Sequence, residues 1–264
     1  MTYENILLTV QNDVATLTFN RPAALNATTL PMADEIHDAL LKLGDGEIKA
    51  RALLITGAGR GFNAGADLSS GIGFVDGKAP DLGKVLELHF NPIVKRLRDL
   101  PMPTIAAVNG VAAGAGMSFA LACDLIVTAR SAVFLQAFVN IGLVPDAGSS
   151  YFLPRLVGPT RAARIAMLGE KIPAELAERW GLISHLVDDD KLMQEATAIA
   201  EKLARGPTNA LVHMRRQLHA AETNSLAAQL DLERDNQRAL GFRPDFKEGV
   251  TAFLEKRPAK FTGE

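Results

Sequence analysis

The sequence predicts an α/β fold closed by a helical C-terminal third. Short β-rich runs recur through the first half, two of them feed glycine-rich turns, and beyond Asp188 apolar residues recur almost entirely at helical spacing. Ile6 to Val10 and Val14 to Phe19 flank the polar Gln11, Asn12 and Asp13, the pattern of an antiparallel hairpin, which Arg21 and Pro22 end. From Thr29 onward Met32, Ile36, Leu40 and Leu43 return every three or four places and share one helical face. Ala52 to Thr56 and Thr104 to Val108 are compact apolar runs that reach Gly57 and Asn109-Gly110, so each reads as a buried strand feeding a glycine-rich turn. Residues 69–84 are rich in Gly, Ser, Asp and Pro without periodicity and read as a mobile loop at a site mouth. Leu125 to Thr128 and an extended piece around Val133 and Phe134 continue the alternation. Helices are predicted over 161–168, 173–180, 191–204, 209–223, 226–240 and 245–256, separated by Gly, Pro or Asn.

Composition sets bounds. With 264 residues, 48% hydrophobic and 22% charged, the chain can bury a sizeable core as one large domain or a domain with an appendage. A net charge of -2 gives no electrostatic reason to expect nucleic acid or an anionic membrane as partner. Apolar runs are broken far short of the roughly 18 to 20 residues that cross a bilayer. The single Cys123 excludes an internal disulfide, and MTYENILLTVQND lacks the order of a secretory signal, so the cytoplasm is the expected location. No His, Cys or carboxylate cluster has metal-ligand spacing, and no metal is expected. Leu226, Leu230, Phe242, Phe246, Phe253 and Phe261 give the last helices apolar surface suited to a subunit interface.

The chemistry concentrates in three segments: GRGFNAGADL at 59–68, NGVAAGAG at 109–116 and IGLVPDAGSSYFLPR at 141–155. Both glycine turns follow strands, and the second opens a helix near Gly116 with unpaired N–H groups. Two such strand ends can aim main-chain donors at one point, as an oxyanion hole requires; close helix–strand packing would demand the same glycines. Neither G-x-x-x-x-G-K-[ST] nor G-x-G-x-x-G is satisfied, since Phe62 and Phe119 stand where a third glycine belongs. Asp67 at a helix start reads as a cap rather than a catalyst. Asp146, between Pro145 and Ala147 among Phe138, Ile141, Leu143, Val144 and Phe152, reads equally as a base sharpened by an apolar setting or as a helix cap. Ser118 lies in Gly-Met-Ser-Phe-Ala, but Ala120 spoils a nucleophile elbow and no histidine has a distinguishing neighbourhood.

FNRPAALNA, LLITGAGRGFNAGADL, PTIAAVNGVAAGAG, ACDLIVTARSAVF, IGLVPDAGSSYFLPRLVG, AERWGLI and EGVTAFLEKRPAKF together resemble the crotonase, or enoyl-CoA hydratase/isomerase, superfamily over nearly the whole chain. The resemblance implies a ββα spiral core over 1–200 holding the acyl-CoA site, and a helical region over 201–264 that packs homotrimers or dimers of trimers. It implies an acyl-CoA thioester substrate with no separate cofactor, coenzyme A being part of the substrate. It carries the oxyanion hole onto the N–H groups of Ala66 and Ala115, and the CoA path onto Ala24, Leu25, Ala64, Gly65, Ala66, Asp67 and Leu68, with Lys260 or Phe261 of another subunit. Hydratases of this superfamily use two glutamates; here their positions hold Ser118 and Phe138, which argues against hydration. APDLG, FNPIVKRL, GLVPDAGSSYFLPR and AETNSLAAQLDLERD resemble the ring-1,2-epoxyphenylacetyl-CoA isomerase group, where the aspartate matching Asp146 is the base. GSS at 148–150 departs from that group's more frequent GG and Thr. A related dehalogenase uses the matching aspartate as nucleophile beside a Trp and a His, where this chain has Phe138 and Asn91. The expected activity is therefore acyl-CoA isomerisation with Asp146 as sole base, in aromatic or fatty acid breakdown. A hydratase with relocated acid and base, or a non-catalytic acyl-CoA-binding partner, are the alternatives.

Overall fold

The computed structural model describes residues 3–73, 78 and 80–264. The chain opens with β1 (Ile6–Gln11) and β2 (Val14–Phe19), paired antiparallel from Ile6↔Phe19 to Gln11↔Val14. Their turn is tighter than the sequence reading: Gln11 belongs to β1, and Asn12 and Asp13 turn with φ of 51° and 61°, a left-handed pair that suits the twist of a hairpin. Thr29 caps α1 (Leu30–Gly44) through its hydroxyl, and the predicted face, Met32, Ile36, Leu40 and Leu43, is buried.

Thereafter the chain winds as a spiral between two sheets. β3 (Ala52–Gly57) joins the large sheet and β4 (Gly61–Asn63) the small one, followed by a helical stretch of α2 (Leu82–Val85), a π-turn (Leu86–Phe90) and α3 (Asn91–Asp99). The next turn repeats the plan with β5 (Thr104–Val108), β6 (Val111–Ala113) and α4 (Ala115–Leu121). A third supplies β7 (Leu125–Ala129), β8 (Val133–Leu135), α5 (Ser149–Val157) and α6 (Pro159–Leu168). β9 (Ile172–Pro173), α7 (Ala174–Trp180) and β10 (His185–Val187) complete the sheets, in the orders β1-β2-β3-β5-β7-β10 and β4-β6-β8-β9. Within them β2, β3, β5, β7 and β10 run parallel, as do β4, β6 and β8.

This is the mixed α/β spiral expected, with two corrections. Residues 61–63 and 111–113, read as glycine-rich turn, are short strands that build the second sheet. Runs of three residues are too brief to show a period of two. The segment read as a loop over 69–84 holds the end of a π-helical turn (Leu68–Ile72) and the start of α2, while 74–77 and 79 lie outside the described residues.

α8 (Leu192–Ala204) covers the large sheet against β3, β5 and β7, burying Leu192, Ala196, Ala200 and Ala204. α9 (Thr208–Ala220) is fastened to the core by Arg215, which reaches both Asp124 carboxylate oxygens at 2.6 and 2.7 Å and the carbonyls of Leu100 and Met102. α10 (Leu226–Gly241) and α11 (Pro244–Leu254) follow, and Phe242 and Phe253 are 87% and 82% exposed. Among the described residues no helix is long and apolar enough to cross a membrane.

Candidate active site

The crossings from large to small sheet set the site. Phe62 of β4 packs edge-on against Phe19 of β2 at 5.3 Å, and Phe119 of α4 stacks on Phe90, so the strand ends sit on a fixed aromatic floor. Above it lies a cavity of about 600 Å³. One side is the first glycine turn (Ala64, Gly65, Ala66, Leu68) with Gly114 and Ala115 of the second. Phe138, Leu143 and the Val144–Gly148 loop line it as well, and α2 with its π-turn contributes Leu82, Val85, Leu86 and Phe90.

The two glycine turns touch. A Cβ on Gly65 would stand 3.6 Å from the Ala115 nitrogen, and one on Gly114 would stand 3.9 Å from Gly65 Cα and 3.6 Å from Phe138 Cζ. Both glycines have positive φ, 93° and 50°, and each immediately precedes Ala66 or Ala115, so the backbone turns just before each alanine N–H. The bridge between Thr28 and Ala66 uses the Gly65 carbonyl and the Asp67 N–H, which leaves the Ala66 N–H outside the ladder. Ala115 opens α4, where an N–H has no partner within the helix. Close packing also operates: a Cβ on Gly116 would fall 2.2 Å from the Asn63 carbonyl oxygen. The glycines thus serve both readings, Gly116 for packing and Gly65 and Gly114 for the turns.

Asp146 lines the same cavity and is its only ionisable side chain among the described residues. It does not cap a helix: the N-cap of α5 is Gly148, and no side chain caps it. Its Oδ1 is buried without a hydrogen-bond partner, and burial pushes the carboxyl from 3.8 up to about 6. Ala147, buried, sits at φ 47°, and Gly148 follows at 87°. A left-handed alanine costs about 1–2 kcal/mol, and such strain next to a partnerless carboxylate is typical of functional loops.

The other predicted residues divide. Ala64, Gly65, Leu68 and Phe138 line the cavity. Ala24 and Leu25 do not; the Leu25 carbonyl accepts the Ala64 N–H at 3.0 Å and so braces the first glycine turn from behind. Asp67 caps the turn after it, accepting from the Ser69 N–H, and pairs with Arg21 at 2.9 Å. Its carboxyl is held below the ordinary range first by the Ser69 hydroxyl and then by Arg21, the opposite setting to Asp146. Lys260 and Phe261 lie away from the cavity: the Lys260 N–H donates to Glu248 and the Phe261 carbonyl accepts from Arg51. Ser118 is buried beneath the cavity rather than in its wall, which removes it as a nucleophile. Sequence reasoning missed the wall from α2 and its π-turn. Leu82, Val85 and Leu86 carry the helical spacing behind the capping Asp81, but the π-turn and Pro92 break the period beyond them.

The profile of the enoyl-CoA hydratase/isomerase family matches residues 9–264. The chain belongs to that family and is an enzyme of that superfamily. It is 48% identical to 1,2-epoxyphenylacetyl-CoA isomerase of Escherichia coli (strain K12) over 264 residues, 99% of each chain. It is 44% identical over 263 residues, all of both chains, to a Rhodobacter capsulatus protein named "Probable enoyl-CoA hydratase". Its fold matches the crystal structure of enoyl-CoA hydratase from Bacillus anthracis with a TM-score of 0.92 at 30% identity, covering 99% of this chain and 100% of that one.

Proposed function

We propose that this enzyme is an acyl-CoA isomerase working through a thioester enolate. The Ala66 and Ala115 N–H groups hold the thioester oxygen, and Asp146 removes a proton from a substrate carbon. The C–H electron pair moves into the conjugated system, its charge collecting on the held oxygen, and the same proton returns at another carbon. Nothing is gained or lost, so no cofactor or water is consumed. The supporting observation is that Asp146 is the one carboxylate lining the cavity among the described residues, raised to about 6, where a base is both ionised at neutral pH and strong enough to act. The 48% identity to an epoxyphenylacetyl-CoA isomerase favours an aromatic acyl group, with opening of a ring epoxide as the related reaction. The cytoplasm and a homotrimer or dimer of trimers, burying the apolar faces of α10 and α11, complete the reading.

Asp146→Asn tests it. Proton exchange at the bound thioester and conversion of 3-enoyl-CoA should fall by about 10² to 10⁴ with CoA-ester binding retained; an active variant overturns the assignment. Hydration, the second reading, rests on the hydratase among the relatives. It needs a further acid or base, and neither buried Ser118 nor Phe138 provides one. Formation of 3-hydroxyacyl-CoA from crotonyl-CoA would favour it.

A further inference from the structure

Three fully buried polar side chains, Ser118, Ser149 and Gln136, form a chain of contacts behind the cavity wall. Gln136 Nε2 donates to Ser149 Oγ at 3.0 Å, Ser149 Oγ lies 2.5 Å from Ser118 Oγ, and Ser118 Oγ lies 3.1 Å from the Asp146 carbonyl oxygen and 3.2 Å from that of Gly114. Counting protons gives the chain a direction. The amide N–H of Gln136 can only donate, so Ser149 accepts from it, and the arrangement that leaves no buried hydroxyl proton idle has Ser149 donate to Ser118. The Ser118 proton is then free for a carbonyl, and only the two backbone oxygens remain within reach.

Those two carbonyls belong to the reacting centre as proposed above. The Gly114 carbonyl and the Ala115 N–H share one trans peptide group, so fixing the oxygen aims the N–H the opposite way. The Asp146 carbonyl also accepts from the Ser149 N–H at 2.9 Å, and it lies just before the strained Ala147. α4 and the Asp146 loop come from successive turns of the spiral, and the Ser118 hydroxyl reaches the backbone of both.

We propose that Ser118 is a positioning residue that holds the Ala115 oxyanion donor and the Asp146 base at a fixed separation. This rests on the isomerase reading.

Ser118→Ala removes the bridging proton with little change in volume. The expected result is a fall in kcat of about 10- to 100-fold with KM for 3-enoyl-CoA nearly unchanged, as for a misplacement of the order of 1 Å. A purely structural role would leave the pH profile alone. Here the acid limb of kcat/KM, near 6 in the parent, should move down by about one unit as the released loop admits water to the carboxylate. Ser149→Ala, which cuts the chain one link back, should shift the limb the same way by less, and carries the test if Ser118→Ala does not fold. An unmoved limb in the folded variants, whatever happens to kcat, overturns the positioning role. Asp146→Asn run in parallel separates the failures: an inactive Asp146→Asn beside an unmoved limb refutes the role of Ser118 alone, whereas an active Asp146→Asn refutes the isomerase reading itself.

Discussion

Replacing Asp146 with Asn should stabilise the protein at neutral pH. The carboxyl titrates near 3.8 in the open chain and at about 6 in the folded one, with burial as the cause. Between those values the unfolded chain has released a proton that the folded chain still binds, so stability falls as pH rises from about 4 through about 6. Above about 6 the penalty is complete. Two pH units correspond to about 3 kcal/mol, which the partial solvent access of an open cavity reduces to about 2 kcal/mol. Asparagine carries no charge and escapes the penalty. Urea unfolding of both proteins from pH 4 to 8 should give curves that coincide near pH 4 and separate by about 2 kcal/mol at pH 7.5, the variant being the more stable. A difference independent of pH, or a variant less stable at pH 7.5, would refute the burial argument and weaken Asp146 as a tuned base.

Gly65→Ala places a Cβ 2.9 Å from the Ala113 carbonyl oxygen at a φ of 93°, so the turn must shift and carry the Ala66 N–H with it. Loss of one such donor costs about 2.7–4 kcal/mol, read as a fall in kcat of about 10² to 10³; parent-like turnover would remove Ala66 from the oxyanion hole. Arg215→Met leaves the Asp124 carboxylate and the Leu100 and Met102 carbonyls short of their buried donor. Destabilisation by about 3–5 kcal/mol in urea unfolding is expected, and a loss below about 1 kcal/mol would show that α9 is held by apolar packing alone.

The elements that repeat a period over many residues were legible. α1, α6, α8 and α9 fall within a few residues of the apolar spacing that predicts them, because each buries one face, and α10 and α11 follow the same spacing with most of their apolar side chains exposed. The small sheet was not, since β4, β6 and β8 have three residues each and their glycines and alanines look like turn material. The positions of Ala66 and Ala115 came from motif resemblance, whereas Asp146 stood out by its apolar neighbours, as base or cap, before the resemblance named it as the base. What separated base from cap at Asp146 was geometry: Gly148 starts α5, which leaves the carboxylate without the N–H partners a cap would have. Ser118 was visible as a spoiled nucleophile elbow and a missing glutamate but not as a backbone bridge, because the oxygens it bridges are main-chain carbonyls 4 and 28 residues away, which no side-chain pattern records.

The large sheet grows in the order of synthesis: β2, β3, β5 and β7 are laid side by side as they occur along the chain. A nascent polypeptide can therefore dock every new strand onto an edge already present, without waiting for distant segments. The cavity follows another schedule, since Ala66, Ala115 and Asp146 leave the ribosome on three successive windings. During refolding, catalytic competence should consequently lag behind the appearance of β-structure and arrive only when the third winding seats.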